Sequence, residues 1–217
     1  MSTCPADGPV GCHNVAVADH YFSDTPPGPE TRREIRANIW GRELTFVTSS
    51  GVFAHDGLDK ATAILLRSVS PPTSGTVLDL GCGWGPIACA LATTAPALEV
   101  WAVDVNGRAR DLTRLNADRL GVGLHLAHPD QVPTDITFDQ IWSNPPIRIG
   151  KDALHELLLQ WLPRLSPDGT AWLVVGKNLG ADSLQRWLTG QGWTVDRYAS
   201  AKGFRVLRVR ASTPESG

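Results

Sequence analysis

Apolar and polar positions change rhythm along the chain, and each rhythm predicts an element. Ile35, Ala37 and Ile39 alternate with polar residues, as do Leu44, Phe46 and Thr48 beyond Trp40-Gly41, which predicts a β-hairpin. Spacing then becomes helical: Leu58, Ala61, Ile64, Leu65 and Ser68 share one side of a helix expected over 56–69, stopped by Pro71-Pro72. A short apolar run at 77–80 leads through glycines into an apolar helix reaching 94. A second run at 99–104 precedes a helix over 107–120 with Ala109, Leu112, Leu115 and Leu120 inward. Short strands follow at 124–127 and 138–143, then a helical stripe of Leu154, Leu157, Leu158, Trp161 and Leu165 over 152–165. Pro167-Asp168-Gly169 turns into a strand at 171–175, a helix spans 181–189, and strands at 193–199 and 203–210 are spaced to pair with each other.

Strands that alternate with helices imply an α/β fold: a Rossmann-like, seven-stranded, mostly parallel sheet with an antiparallel edge strand, preceded by the N-terminal β-hairpin. Three segments are expected. Residues 1–29, rich in Pro, Gly, Asp and Ser and closed by Pro26-Pro27-Gly28-Pro29, read as a flexible arm tacked down by Tyr21 and Phe22. Residues 30–55 form the hairpin extension packed on the core, and 56–212 the α/β domain itself.

Composition narrows the class. In 217 residues, 42% are hydrophobic, which suffices for one core, and there is no 18-residue apolar run to span a membrane. The start, Met1-Ser2-Thr3-Cys4-Pro5, has no basic segment before an apolar one, so a cytoplasmic location is expected. Cys4, Cys12 and His13 lack the second pair that would complete a metal site, and four cysteines at 4, 12, 82 and 89 make no disulfide framework; no metal is expected. A net charge of −2 argues against a protein that coats nucleic acid. Residues 151–217 nevertheless carry 9 basic and 6 acidic side chains, which leaves room for a local basic surface.

The candidate chemistry starts at Val77-Leu78-Asp79-Leu80-Gly81-Cys82-Gly83-Trp84-Gly85-Pro86: strand, glycine turn, helix. Asp104 ends the next strand, about 20 residues on, where a carboxylate can accept both hydroxyls of a ribose. That feature suits NAD as well as S-adenosylmethionine. Asp79 discriminates, because a carboxylate before the first glycine would repel a pyrophosphate but hold the ammonium of a methionine moiety. The spacing Asp-x-Gly-x-Gly-x-Gly also departs from the dinucleotide Gly-x-Gly-x-x-Gly. Asp130, just past the third of these strands, is placed to accept from an adenine amino group. Expected cofactor contacts are therefore Asp79, Gly81, Cys82, Gly83, Gly85, Asp104, Val105, Asp130 and Asn144. His125 and His128 receive no role.

A second motif, Asn144-Pro145-Pro146-Ile147, lies at the carboxyl end of the strand at 138–143, where ligands bind in open α/β sheets. Methylating an exocyclic amine requires its conjugated lone pair to be turned out toward the donor. Acceptors on its two N–H bonds do this, the Asn144 side-chain oxygen and the Pro145 carbonyl, and they stabilise the charge that develops on nitrogen. Prolines fix φ and carry no competing N–H. Asn144 and Pro145 are the expected catalytic pair.

With these motifs in order, the chain resembles the class I methyltransferases of the small-domain type, specifically the RsmC-like ribosomal RNA guanine-N2 methyltransferases. The resemblance runs from His20-Tyr21-Phe22-Ser23 to Arg210 and includes Gly51-Val52-Phe53, Asp56-Gly57-Leu58-Asp59, the glycine unit, Ser143-Asn144-Pro145-Pro146 and Lys202-Gly203-Phe204. It implies an S-adenosylmethionine-dependent enzyme that methylates a guanine amino group in ribosomal RNA or a ribosomal particle, on a base presented out of its helix. Implied substrate contacts are Pro146, Ile147, Arg148, Phe53, Lys151 and Lys202. Two departures stand out. Many relatives place an aromatic residue after the prolines to stack on the base; here Ile147-Arg148 follows, with Phe53 expected to substitute. Longer members also carry an additional N-terminal domain, for which this chain is expected to have no room. The competing readings are N5-methylation of a protein glutamine, adenine-N6 methylation, both of which favour an aromatic at 147, and a catalytically silent RNA-binding module.

Overall fold

Alternation does produce the hairpin. In the computed structural model, which describes residues 32–49, 57–146 and 150–212, β1 (Arg32–Ile39) and β2 (Arg42–Ser49) pair antiparallel around a two-residue turn at Trp40-Gly41. Ile35, Ile39, Leu44 and Phe46 bury one face of it against the main body. The expected arm at 1–29 and the residues Phe53, Ile147 and Arg148 lie outside the described residues.

Helix α1 (Lys60–Ser68) begins four residues later than the 56–69 periodicity suggests. Asp59 is the reason: its carboxylate accepts from the backbone N–H groups of Ala61 and Thr62 at 2.9 and 3.1 Å, so it caps the helix from outside rather than entering it. Then come β3 (Gly75–Leu80), α2 (Pro86–Thr94), β4 (Leu98–Val103), α3 (Gly107–Leu120), β5 (His125–Ala127) and β6 (Phe138–Ser143). Helix α4 (Lys151–Trp161) tightens into a 3₁₀ turn over Leu162–Arg164, because Pro163 has no N–H to extend the α ladder. Strand β7 (Leu165–Gly176) starts before the expected 171, with Leu165 opposite Phe138 and a register shift absorbing the Pro167-Asp168-Gly169 segment. Helix α5 (Ala181–Gly190) and strands β8 (Trp193–Ala201) and β9 (Phe204–Ala211) complete the described chain.

The seven strands form one sheet in the order β5-β4-β3-β6-β7-β9-β8. Strands β3 to β7 pair parallel; β9 runs antiparallel to β7, and the edge strand β8 antiparallel to β9. Side chains alternate across this sheet. Val77 joins the core shared with the hairpin, α1, α2 and α3, whereas Leu78 and Leu80 join the core under α4 and α5. Asp79 therefore points to the α1–α2–α3 side, and it is fully buried there.

One buried amide ties the hairpin to the glycine turn. Asn116, on α3, accepts from the N–H of Val47 at 2.7 Å and donates to the carbonyls of Val47 and Trp84 at 2.9 and 2.8 Å. Phe46 meets Trp84 edge to face, with ring centroids 5.2 Å apart. The hairpin is thus bonded to the back of the segment that carries the glycines.

Candidate active site

The carboxyl ends of β3, β4 and β6 carry Asp79 and the glycine turn, Asp104, and Asn144-Pro145-Pro146. Between β3 and α2 the chain turns tightly: the N–H groups of Gly81 and Cys82 donate to the Val103 carbonyl at 2.8 and 3.0 Å, and Gly85 N–H returns to Cys82 at 2.9 Å. Gly85 is required twice over. Its φ is +84°, which L side chains rarely adopt, and a Cβ there would lie 2.7 Å from Cγ2 of Thr113 on α3. Thr113 in turn donates its hydroxyl to the Gly83 carbonyl at 2.9 Å, so α3 holds the turn from behind.

Asp79 accepts from the N–H of Ala88 at 2.9 Å through Oδ2, helping to satisfy the start of α2. Its Oδ1 is buried without a hydrogen-bond partner among the described residues. Burial pushes its pKa from 3.8 up to about 7, the Ala88 bond opposes this, and the Asp104 charge adds to it. Asp104 lies at the end of β4. Oδ2 accepts from Gly83 N–H and Oδ1 from Asn106 N–H, both at 2.9 Å, so it joins the glycine turn to the start of α3. Burial raises its pKa too, against the two N–H bonds and the nearby Arg110 and His128. Arg110 donates to the backbone carbonyls of Asp104 and Val105 at 2.6 and 2.9 Å, which fixes the path of the chain there.

Asp130 falls in a 3₁₀ turn, Pro129–Gln131, that follows β5, and Asp104 N–H reaches Ala127 at 3.4 Å beside it. Its side chain is 84% exposed, 3.5 Å from His128 Nδ1. His128 therefore has a structural task, capping this turn by accepting from Asp130 N–H at 3.3 Å. Cys82 and Cys89 are buried, and burial pushes both thiols well up, so neither is a nucleophile.

At the end of β6, Ser143 donates to the Leu80 carbonyl at 2.7 Å, locking β6 to β3 where both strands stop. Pro146 comes so near the glycine turn that a methyl added at Gly81 would lie 3.9 Å from its Cδ. Asn144 follows Ser143 directly. Its Nδ2 donates to Asp59 Oδ2 at 2.9 Å and to Thr62 Oγ1 at 3.1 Å. A carboxylate can only accept, so the amide nitrogen must face Asp59 and the orientation of the group is set chemically. Lys151 opens α4 and Lys202 occupies the β8–β9 turn with φ +46°; both side chains are exposed. The turn is joined to the end of β7 by a bond from Lys177 N–H to the Gly203 carbonyl at 2.8 Å.

Sequence reasoning did not assign Asp59, Thr62, Thr113 or Asn116. The signal for Asp59 was present as an aspartate just before an apolar helical run, the mark of an N-cap. Nothing in the spacing links it to Asn144, 85 positions away.

The residues fit S-adenosylmethionine on one structural observation above all: the partnerless buried oxygen of Asp79, an acceptor suited to an ammonium, lies at the end of β3 just before the turn that Asp104 contacts. Comparison with known proteins agrees. A family model described as "methyltransferase small domain" matches residues 43–208. An uncharacterized Bacillus subtilis protein, YbxB, is 30% identical over 199 residues, 89% of this chain and 99% of that protein. Ribosomal RNA small subunit methyltransferase C of Cronobacter sakazakii is 36% identical over 134 residues, covering 58% of this chain and 39% of that one. A T. thermophilus 16S rRNA N2 methyltransferase, solved in complex with AdoMet and guanosine, superposes with a TM-score of 0.72 at 24% identity, over 86% of this chain and 52% of that one. The chain thus spans about half, or less, of the length of the ribosomal RNA methyltransferases it matches.

Proposed function

The chain belongs to the methyltransferase small-domain family of S-adenosylmethionine-dependent enzymes, and on that premise we propose that it methylates the exocyclic N2 amine of a guanine in ribosomal RNA. The observation that carries this reading is the placement of Asn144-Pro145-Pro146 at the end of β6, against the glycine turn, with the Asn144 amide nitrogen already engaged. S-adenosylmethionine supplies an electrophilic methyl group on a positively charged sulfur. Asp79 holds the ammonium end of it, Asp104 the ribose, and Asp130 the adenine amine, with Gly81, Cys82, Gly83, Gly85 and Val105 lining the path.

Asn144 Oδ1 and the Pro145 carbonyl each accept one N–H of the guanine amine. Held this way, the nitrogen is turned out of conjugation and its lone pair faces the donor. Positive charge that grows on the nitrogen is met by two oriented dipoles in a partly dry site. Pro145 and Pro146 offer no N–H that could compete for either acceptor. No strong base is needed, since a conjugated amine that has gained a methyl group loses its proton readily to solvent. The family resemblance assigns Ile147, Arg148 and Phe53 to the substrate, and Lys151 and Lys202 meet the phosphate backbone. The partial relatives named for ribosomal RNA methylation support RNA as the acceptor over a protein glutamine, and the guanosine bound in one of them supports guanine over adenine.

The test separates binding from transfer. Asn144→Ala is expected to bind S-adenosylmethionine with a near-normal dissociation constant by calorimetry and to transfer no methyl group to ribosomal RNA. Full transfer by that variant would remove the assigned role.

A further inference from the structure

The N-terminal turn of α1 is joined to the carboxyl end of β6 through side chains. Asp59 does two things with one oxygen: Oδ2 accepts from Ala61 and Thr62 N–H, capping the helix, and from Asn144 Nδ2 at 2.9 Å. Thr62, one turn further in and 4% exposed, adds its hydroxyl to the same nitrogen at 3.1 Å. Nδ2 has two hydrogens, and these two acceptors take them. Among the described residues no donor claims Oδ1, which leaves it as the free acceptor of the amide.

We propose that Asp59 and Thr62 are positioning residues for methyl transfer: together they lock the Asn144 amide so that only its oxygen is presented to the acceptor amine. The inference rests on the reading of Asn144 given above. A primary amide that could flip would show the incoming N–H a donor half of the time. An anionic acceptor on its nitrogen forbids the flip, and it also draws electron density toward Oδ1, strengthening that oxygen as an acceptor when charge develops on the amine. Capping already fixes Asp59 in place, so the orientation is set before any substrate arrives and costs no reorganisation during the reaction. Thr62 is buried on a helix and has little freedom of its own.

Two variants separate positioning from folding. Asp59→Ser keeps an N-cap oxygen but is too short to reach Asn144, and Thr62→Val keeps shape and loses the hydroxyl. In single-turnover assays with labelled S-adenosylmethionine and ribosomal RNA from cells lacking the protein, Thr62→Val is expected to slow transfer about three- to tenfold. Asp59→Ser is expected to slow it about ten- to a hundredfold. Melting temperature and affinity for S-adenosylhomocysteine should stay at wild-type values, and Thr62→Ser should restore the rate. A second readout needs no acceptor: in ¹⁵N spectra of the whole chain, the Asn144 side-chain N–H pair should be shifted and slow to exchange, and become fast-exchanging in Asp59→Ser. Wild-type transfer rates in both variants while Asn144→Ala is inactive would overturn the positioning role alone. A fast-exchanging Asn144 amide in the wild-type protein would overturn it as well. Full activity of Asn144→Ala would instead overturn the reading on which it depends.

Discussion

Asn144 donates its side-chain amide to Asp59 Oδ2 at 2.9 Å, joining the end of strand β6 to the cap of helix α1 across 85 residues of sequence. The contact makes Asn144→Asp a sharper probe than truncation. That change sets two carboxylates within hydrogen-bond distance, and they can coexist only by sharing a proton. We expect a loss of about 1–3 kcal/mol in stability at pH 8, partly recovered near pH 5 as the pair takes up the proton. Thermal melts across that pH range check it; a flat difference would mean the two groups have separated.

Asp79 is held at a cost, because burial disfavours its charged form. Its pKa of about 7 against an ordinary 3.8 means the folded protein keeps a proton the unfolded chain has lost between those values. Stability from this group is therefore present below pH 4 and is lost as pH rises through 7, by about 4 kcal/mol at most. Asp79→Asn removes the charge and keeps an acceptor for Ala88. The ligand-free variant should melt several degrees above wild type at pH 8, yet bind S-adenosylmethionine at least tenfold more weakly. A lower melting temperature at pH 8 would show that the carboxylate's grip on α2 outweighs its burial.

Gly85→Ala should be costly on two counts. It forces an L residue to φ +84° and drives a methyl into Thr113. Strain of about 1–2 kcal/mol and overpacking of about 1–3 kcal/mol add to roughly 2–5 kcal/mol. Adding Thr113→Ser, which deletes the clashing Cγ2, should return part of that loss in chemical denaturation. No recovery would locate the cost in the backbone alone.

Asn116→Ala leaves the N–H and carbonyl of Val47 and the carbonyl of Trp84 without their buried partner. A loss of about 2–4 kcal/mol is expected. Amide exchange should accelerate first in β1 and β2, because the hairpin is the part this side chain ties down; uniform acceleration would argue that it supports the whole core instead.

The double variant of Lys151 and Lys202 to alanine tests the RNA-facing rim. If each lysine neutralises a phosphate, RNA affinity falls and the slope of log K against log salt becomes shallower by about 0.7–0.9 per charge. An unchanged slope assigns both to the solvated surface.

The strand–glycine–helix unit and the places of Asp104 and Asn144 just past strand ends were legible because strand ends show in the apolar pattern. The hairpin was legible from alternation around Trp40-Gly41. The link of Asp59 to Asn144 was not, since the two lie 85 positions apart and no spacing joins a helix cap to a distant strand end. Asn116 was hidden for a different reason: it is a polar residue in the polar half of α3's sequence, and only the packed hairpin turns that position into core. Asp79 was read for its charge toward a ligand; its bond to Ala88 and its raised pKa follow from burial, which sequence spacing does not carry.

The most direct test is the identity of the product. Purified protein is incubated with methyl-labelled S-adenosylmethionine and ribosomal RNA, or intact ribosomal subunits, from cells lacking it, and the RNA is digested for nucleoside mass spectrometry. The account predicts label in N2-methylguanosine, absent with Asn144→Ala. Label in N6-methyladenosine, label in protein glutamine, or no transfer to either preparation would contradict it.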